Sequence, residues 1–274
     1  MKHIRIYLLF SFSSTWLMWV IINNFEFQDY MSSILMIVSV YMPAITVWVM
    51  KIFTKEDDIT IVSLEPHVKK NIRWYLIAWI LPIVFTFLGA LLYYSIFSND
   101  FDLTDNLLRI DGIKILTAIL IHPFINTFLC LGEEMGWRGF LFPELIKHVS
   151  RNKTHILVGV IWGLWHIPLT IVGHNYGLEY FGYPWSGVLT LCIFTFASGV
   201  FLSWLTENSS SIWPAALAHS TINSMGKIPY LFLSTENPSN RLFGPAITGL
   251  ISALPMVILA SILIVKEKQR GIKV

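Results

Sequence analysis

Leu131-Gly132-Glu133-Glu134-Met135-Gly136-Trp137-Arg138-Gly139-Phe140-Leu141 lies within a long apolar run, and it decides how the chain is read. Two adjacent carboxylates and a guanidinium in a stretch otherwise suited to hydrocarbon each cost about 3 kcal/mol or more unless paired or hydrated. Two later stretches share the oddity: Trp162-Gly163-Leu164-Trp165-His166-Ile167-Pro168 and Ala218-His219-Ser220-Thr221-Ile222-Asn223. The three polar islands read as one site, with the rest of the chain as its scaffold.

Outward from the islands, the composition fits a membrane scaffold. Of 274 residues, 55% are hydrophobic and only 13% charged, and the mean hydropathy is +0.63. Soluble domains carry about a quarter charged residues. A net charge of +2 argues against a nucleic-acid partner. Cys130 and Cys192 both fall in apolar runs, so neither a disulfide framework nor a paired-cysteine metal site is expected. The first apolar run is read as a retained helix, because Asn23-Asn24-Phe25-Glu26 follows it where a signal peptide would end in small residues.

A crossing needs about 20 mostly apolar residues. Runs near 4–22, 30–52, 74–97, 118–143, 156–172, 185–205, 212–233 and 243–265 predict an all-α, polytopic membrane protein of about eight transmembrane helices. A single integral membrane domain is expected over 1–274. The runs are continuous, whereas barrel strands alternate. Trp16, Trp19, Trp74, Trp185 and Trp213 read as interfacial anchors.

Lysine and arginine set the orientation. With the amino terminus cytoplasmic, segments 1–5, 51–73, 138–155, 206–211 and 266–274 hold fifteen of the nineteen basic residues, Lys55, Arg138, Arg270 and Lys273 among them. The other side receives Arg109, Lys114, Lys227 and Arg241, with acidic residues that include Asp105 and Asp111. Both termini are thus expected in the cytoplasm of a multi-pass cell-membrane protein. Glu133 lies about ten residues from the cytoplasmic end of its run, roughly 15 Å deep. His166 is ten residues and His219 seven residues into theirs. All three are expected in the cytoplasmic half, in a cavity opening to the cytoplasm.

Each island admits two readings. Glu133 and Glu134 point about 100° apart on a helix and need different partners. Arg138, four residues after Glu134, suits an ion pair with it. Glu133 is left as a structural ion bridge to another helix or as a general base for water. His122 and Asn126 share the Glu133 face, with His122 read as structural. His166 is a packing histidine or a site residue. Pro168 frees backbone beside it, and Trp162 walls the pocket one turn earlier. His219 and Asn223, spaced i,i+4, either glue helices or serve a metal or an oxyanion. His174 and Glu179 fall in the opposite loop, away from the islands. No serine-nucleophile, HExxH, Walker or GxGxxG motif is present.

Glu133-Glu134-x-x-x-Arg138, then Trp162-x-x-x-His166, then His219-x-x-x-Asn223, resembles the CPBP family of intramembrane proteases. That family includes type II CAAX prenyl endopeptidases and bacterial proteins linked to bacteriocin processing, self-immunity and lysostaphin resistance. The resemblance covers about residues 118–225, with the site on the fourth, fifth and seventh runs. It implies that Glu133 activates water and that His166 holds or polarises it. His219 and Asn223 would stabilise an oxyanion, and Glu134 and Arg138 would brace the site. The family's usual phenylalanine is Trp162 here. A zinc ion on Glu133, His166 and His219, with another acid such as Glu134 as base, stands beside the metal-free version. The implied activity is endopeptidase hydrolysis of membrane-associated proteins or peptides in the bilayer. A non-catalytic bacteriocin-immunity or helper protein and a small-solute or proton-coupled transporter are the alternatives.

Overall fold

The computed structural model describes residues 1–54, 59, 61–102, 112–234 and 241–269, which are predominantly helical. Among them the sole strand-like feature is an antiparallel bridge between Phe101 and Leu233. Of the charges used for orientation, Lys55, Arg270, Lys273, Arg109, Asp105 and Asp111 lie outside the described residues. In chain order the helices are α1 (Lys2–Asn24), α2 (Asp29–Phe53), α3 (Val68–Ile96), α4 (Gly112–Leu120) and α5 (His122–Glu134). Met135–Leu141 then continues α5 as a π-helical stretch, followed by one turn at Phe142–Leu145. After it come α6 (Arg151–Trp165), α7 (Ile167–Ile171), α8 (Trp185–Ser209), α9 (Trp213–Met225) and α10 (Leu254–Gln269).

This is a multi-pass membrane protein. Helices α1, α2, α3 and α8 are each long and apolar enough to cross a bilayer, and α4 with the helix from His122, bent by 49°, supplies a fifth if counted as one span. The other expected runs are realised as shorter pieces. The fifth splits at His166 into α6 and α7, because Pro168 sits in the first turn of α7. The seventh gives the 13 residues of α9 and then a 3₁₀ segment, Ile228–Phe232. Helix begins only at Leu254 in the last run.

Burial separates the centre from the perimeter. In α8, 78% of the most apolar window is buried, against 22%, 33% and 28% in α1, α2 and α3. Helix α8 is therefore the inner post. Leu9, Phe10, Leu17 and Leu91 are at least half exposed and give the outer helices their hydrocarbon-facing surface.

Three contacts define one end of the bundle. The Met1 amine meets His148 Nε2 at 2.9 Å, Asn71 donates to the Ser209 carbonyl at 2.8 Å, and Arg151 Nε donates to Glu267 at 2.9 Å. Met1 and the carboxyl end of α10 thus share an end with the connection before α6 and the end of α8. At the opposite end Ser234 N–H donates to the Asp100 carbonyl at 2.9 Å, and Tyr230 Oη donates to the Asn175 carbonyl at 3.3 Å.

Several expected interfacial tryptophans are packed inward. Trp19 is fully buried and donates to Ser39 Oγ at 2.8 Å, and Trp16 donates to the Trp165 carbonyl at 2.8 Å. Trp74 is buried edge-on against Trp204. An indole near the end of an apolar run reads as an anchor, but here Trp16 and Trp19 turn their N–H groups to partners within the protein.

Candidate active site

Helix α5 reaches the site because two glycines let α2 approach it. A Cβ on Gly132 would stand 2.9 Å from Tyr41 Cα, and one on Gly136 would collide with the Tyr7 hydroxyl and Pro43. Beyond Glu134 the π-helical turns widen the helix, a geometry frequently found at functional sites. All seven residues of that stretch are buried.

The two acids separate as their spacing predicts. Glu134 is fully buried, contacts Arg138 Nη1 at 3.1 Å and accepts from His219 Nδ1 at 2.8 Å. The Arg138 guanidinium lies 4.3 Å from the centre of the Trp162 ring. Glu134 and Arg138 therefore lock three segments together. Glu133 differs. Its Oε2 accepts from Trp162 Nε1 at 2.8 Å and from Trp137 Nε1 at 3.4 Å. Among the described residues Oε1 has no protein hydrogen bond, and Glu133 lines a cavity of about 970 Å³.

His166, His219, Asn223 and Trp162 line the same cavity, so the three polar islands are gathered. His166 sits in the break between α6 and α7. Its backbone N–H turns to the Gly163 carbonyl, and its ring Nδ1 reaches the Trp162 carbonyl at 2.9 Å. A carbonyl only accepts, so Nδ1 carries the proton, and in the neutral ring Nε2 is an acceptor. His219 spends Nδ1 on Glu134 and also keeps Nε2. Asn223 donates to Cys130 Sγ at 3.8 Å. Trp162 joins the set, its ring centre 5.1 Å from that of His219 and 6.2 Å from that of His166.

Some sequence expectations need correcting. Asn126 does not line the cavity and His122 is exposed, because α5 meets the cavity only at its last turn, through Glu133. His174, set apart from the islands on sequence, lines the cavity with them, whereas Glu179 does not. The level of the site along the helices differs from the count on sequence. Helix α6 begins at Arg151 rather than 156, so His166 lies about 22 Å from its start. The cavity contacts α1 at Trp19, α2 at Met36 and Val40, and α8 at Leu191, Phe194 and Thr195, all in the halves away from the Met1 end. Its rim includes Asp102, His174, Lys227, Ser234 and Arg241, and its closed side is packed with Met135, Trp137 and Phe140. The lining of the cavity thus extends from Glu133 toward the end opposite Met1.

Sequence reading missed the donors to Glu133. Trp137 follows it by four residues, so an indole N–H within one helical turn was the available signal. Among the described residues no three His, Cys, Asp or Glu side chains gather closely enough to hold an ion, so the arrangement as it stands adds no support to zinc on Glu133, His166 and His219.

Residues 115–225 match the family described as Type II CAAX prenyl endopeptidase Rce1-like. Over 114 residues the chain is 33% identical to "CAAX prenyl protease 2" of Methanococcus maripaludis. That match covers 41% of this chain and 42% of the relative, so the chain aligns with less than half of that protein. Glu133, Glu134, Arg138, Trp162, His166, His219 and Asn223 all fall inside the matched family segment.

Proposed function

We propose, from the match of residues 115–225 to the Rce1-like type II CAAX prenyl endopeptidase family, that the protein is an intramembrane endopeptidase acting on membrane-associated peptides or proteins. One observation carries the reading. Glu133 alone of the two acids faces the cavity, with one oxygen held by two indole N–H groups and the other directed to no partner among the described residues.

In this mechanism a water molecule lies between Glu133 Oε1 and His166 Nε2. Glu133 takes its proton as the water oxygen attacks the scissile carbonyl. His166 orients the water through Nε2, an acceptor because Nδ1 is committed to the Trp162 carbonyl. The carbonyl oxygen becomes an oxyanion facing the Asn223 amide and His219. With Glu134 as counter-ion, a doubly protonated His219 presents Nε2–H to that charge. The proton on Glu133 then passes to the leaving amine. Glu134 and Arg138 take no proton; they hold His219 in place.

The test uses purified full-length protein with membrane-anchored peptides. Glu133→Gln and His166→Ala are each expected to lower cleavage by at least about a hundredfold. Cleavage retained in both variants would overturn the mechanism.

A further inference from the structure

We infer that the cavity takes its peptide from the non-cytoplasmic side of the membrane, so that its substrates are extracytoplasmic peptide segments. The inference rests on the hydrolase reading for its chemistry and on two independent observations for its direction.

The first is the direction of the opening. Asp102 follows α3, Asn175 lies between α7 and α8, and Lys227 follows α9; all three line the cavity at the end away from Met1. Toward the Met1 end the site is sealed. Trp137 and Phe140 are fully buried beneath it, and the Tyr7 ring packs against both, at 5.9 Å and 4.9 Å between centres. A peptide reaching Glu133 by the rim passes Tyr230, His174 and Asn175, not the α2–α3 or α5–α6 connections.

The second is the charge at the two ends. Of the fifteen described lysines and arginines, eleven sit at the Met1 end, including Lys2, Lys51, Lys69, Lys147, Lys266 and Lys268. Lys227 and Arg241 sit at the cavity end, Lys114 lies on α4, and Arg138 is buried beside Glu134. Cytoplasmic flanks carry the excess of lysine and arginine. That bias puts the Met1 end in the cytoplasm and the rim on the other side.

The substrate class follows. Near Glu133 the walls are Trp19, Trp162, Trp165, Leu169 and Phe194, while the rim carries Asp102, Lys227 and Arg241. An extended segment with apolar side chains at the cut site and polar or charged residues toward the outside fits this gradient.

The direction is tested in intact cells making full-length protein. Phe181→Cys and Ser234→Cys place exposed thiols at the cavity end, and Lys69→Cys places one at the Met1 end. The native thiols Cys130 and Cys192 are buried. A membrane-impermeant maleimide is expected to label the Phe181 and Ser234 variants on intact cells, and the Lys69 variant only after the membrane is opened. The reverse pattern would overturn the inference. A second arm displays one membrane-anchored reporter peptide on either face. Cleavage confined to the outer reporter supports the proposal, and cleavage confined to the inner one sinks it. Loss of cleavage on both faces with the expected labelling counts against the hydrolase reading alone.

Discussion

At the residue scale, the site turns on Trp162. Its indole N–H holds Glu133, its ring packs on His219, and its face carries the Arg138 guanidinium. A hydrogen bond to a charged group contributes about 1.5–3 kcal/mol, so Trp162→Phe should lower turnover by roughly tenfold or more while keeping the ring contacts. Steady-state cleavage beside a melting curve checks this; unchanged turnover would mean that the indole N–H does not position Glu133. The metal-free mechanism proposed above leads to a second expectation. Purified protein should hold no stoichiometric zinc, and chelation should leave cleavage unchanged; an ion lost on mutating His166 and His219 would reverse that. The division of labour between Glu133 and Glu134 was legible because i,i+4 spacing assigns Arg138 to Glu134. The tryptophan donors were not, since an indole in an apolar run looks like packing until its N–H is seen to aim at a carboxylate.

At the element scale, close approach explains why the motif contains glycine. Gly136 lies where α1 and α2 press on the π-helical stretch, with Tyr7 and Pro43 occupying the space a methyl would need. Gly136→Ala should destabilise the protein by about 1–3 kcal/mol, the usual cost of overpacking. It should also reduce cleavage, because the stretch it displaces carries Trp137 and Arg138. Thermal unfolding in detergent together with turnover checks both; an unchanged melting temperature would show that α2 yields. Helix existence was legible in the long runs of α1, α2, α3 and α8. Helix ends were less so. Arg151 and His155 look like loop on hydropathy alone, yet they form the opening turns of α6, buried against Glu267. Moving that boundary by five residues shifted the apparent depth of His166.

At the scale of the whole molecule, the end-to-end charge difference was legible because orientation depends on composition and not on contacts. The direction of the opening was not. It depends on which end the π-helical stretch and its aromatic neighbours seal, and three-dimensional packing sets that. His174 illustrates the same limit: on sequence it lies in a loop apart from the islands, and the fold brings it into the lining of their cavity.

The tight ring packing has an optical consequence. Trp165 stands 4.6 Å from Trp19 and 5.7 Å from Trp137, centre to centre, and Trp162 lines the cavity beside it. Indoles this close couple electronically, so the site should give its own near-ultraviolet circular-dichroism couplet. A peptide that displaces water from the cavity should shift Trp162 emission to the blue. Occupancy then becomes readable by light in the unlabelled protein, before any bond is cut.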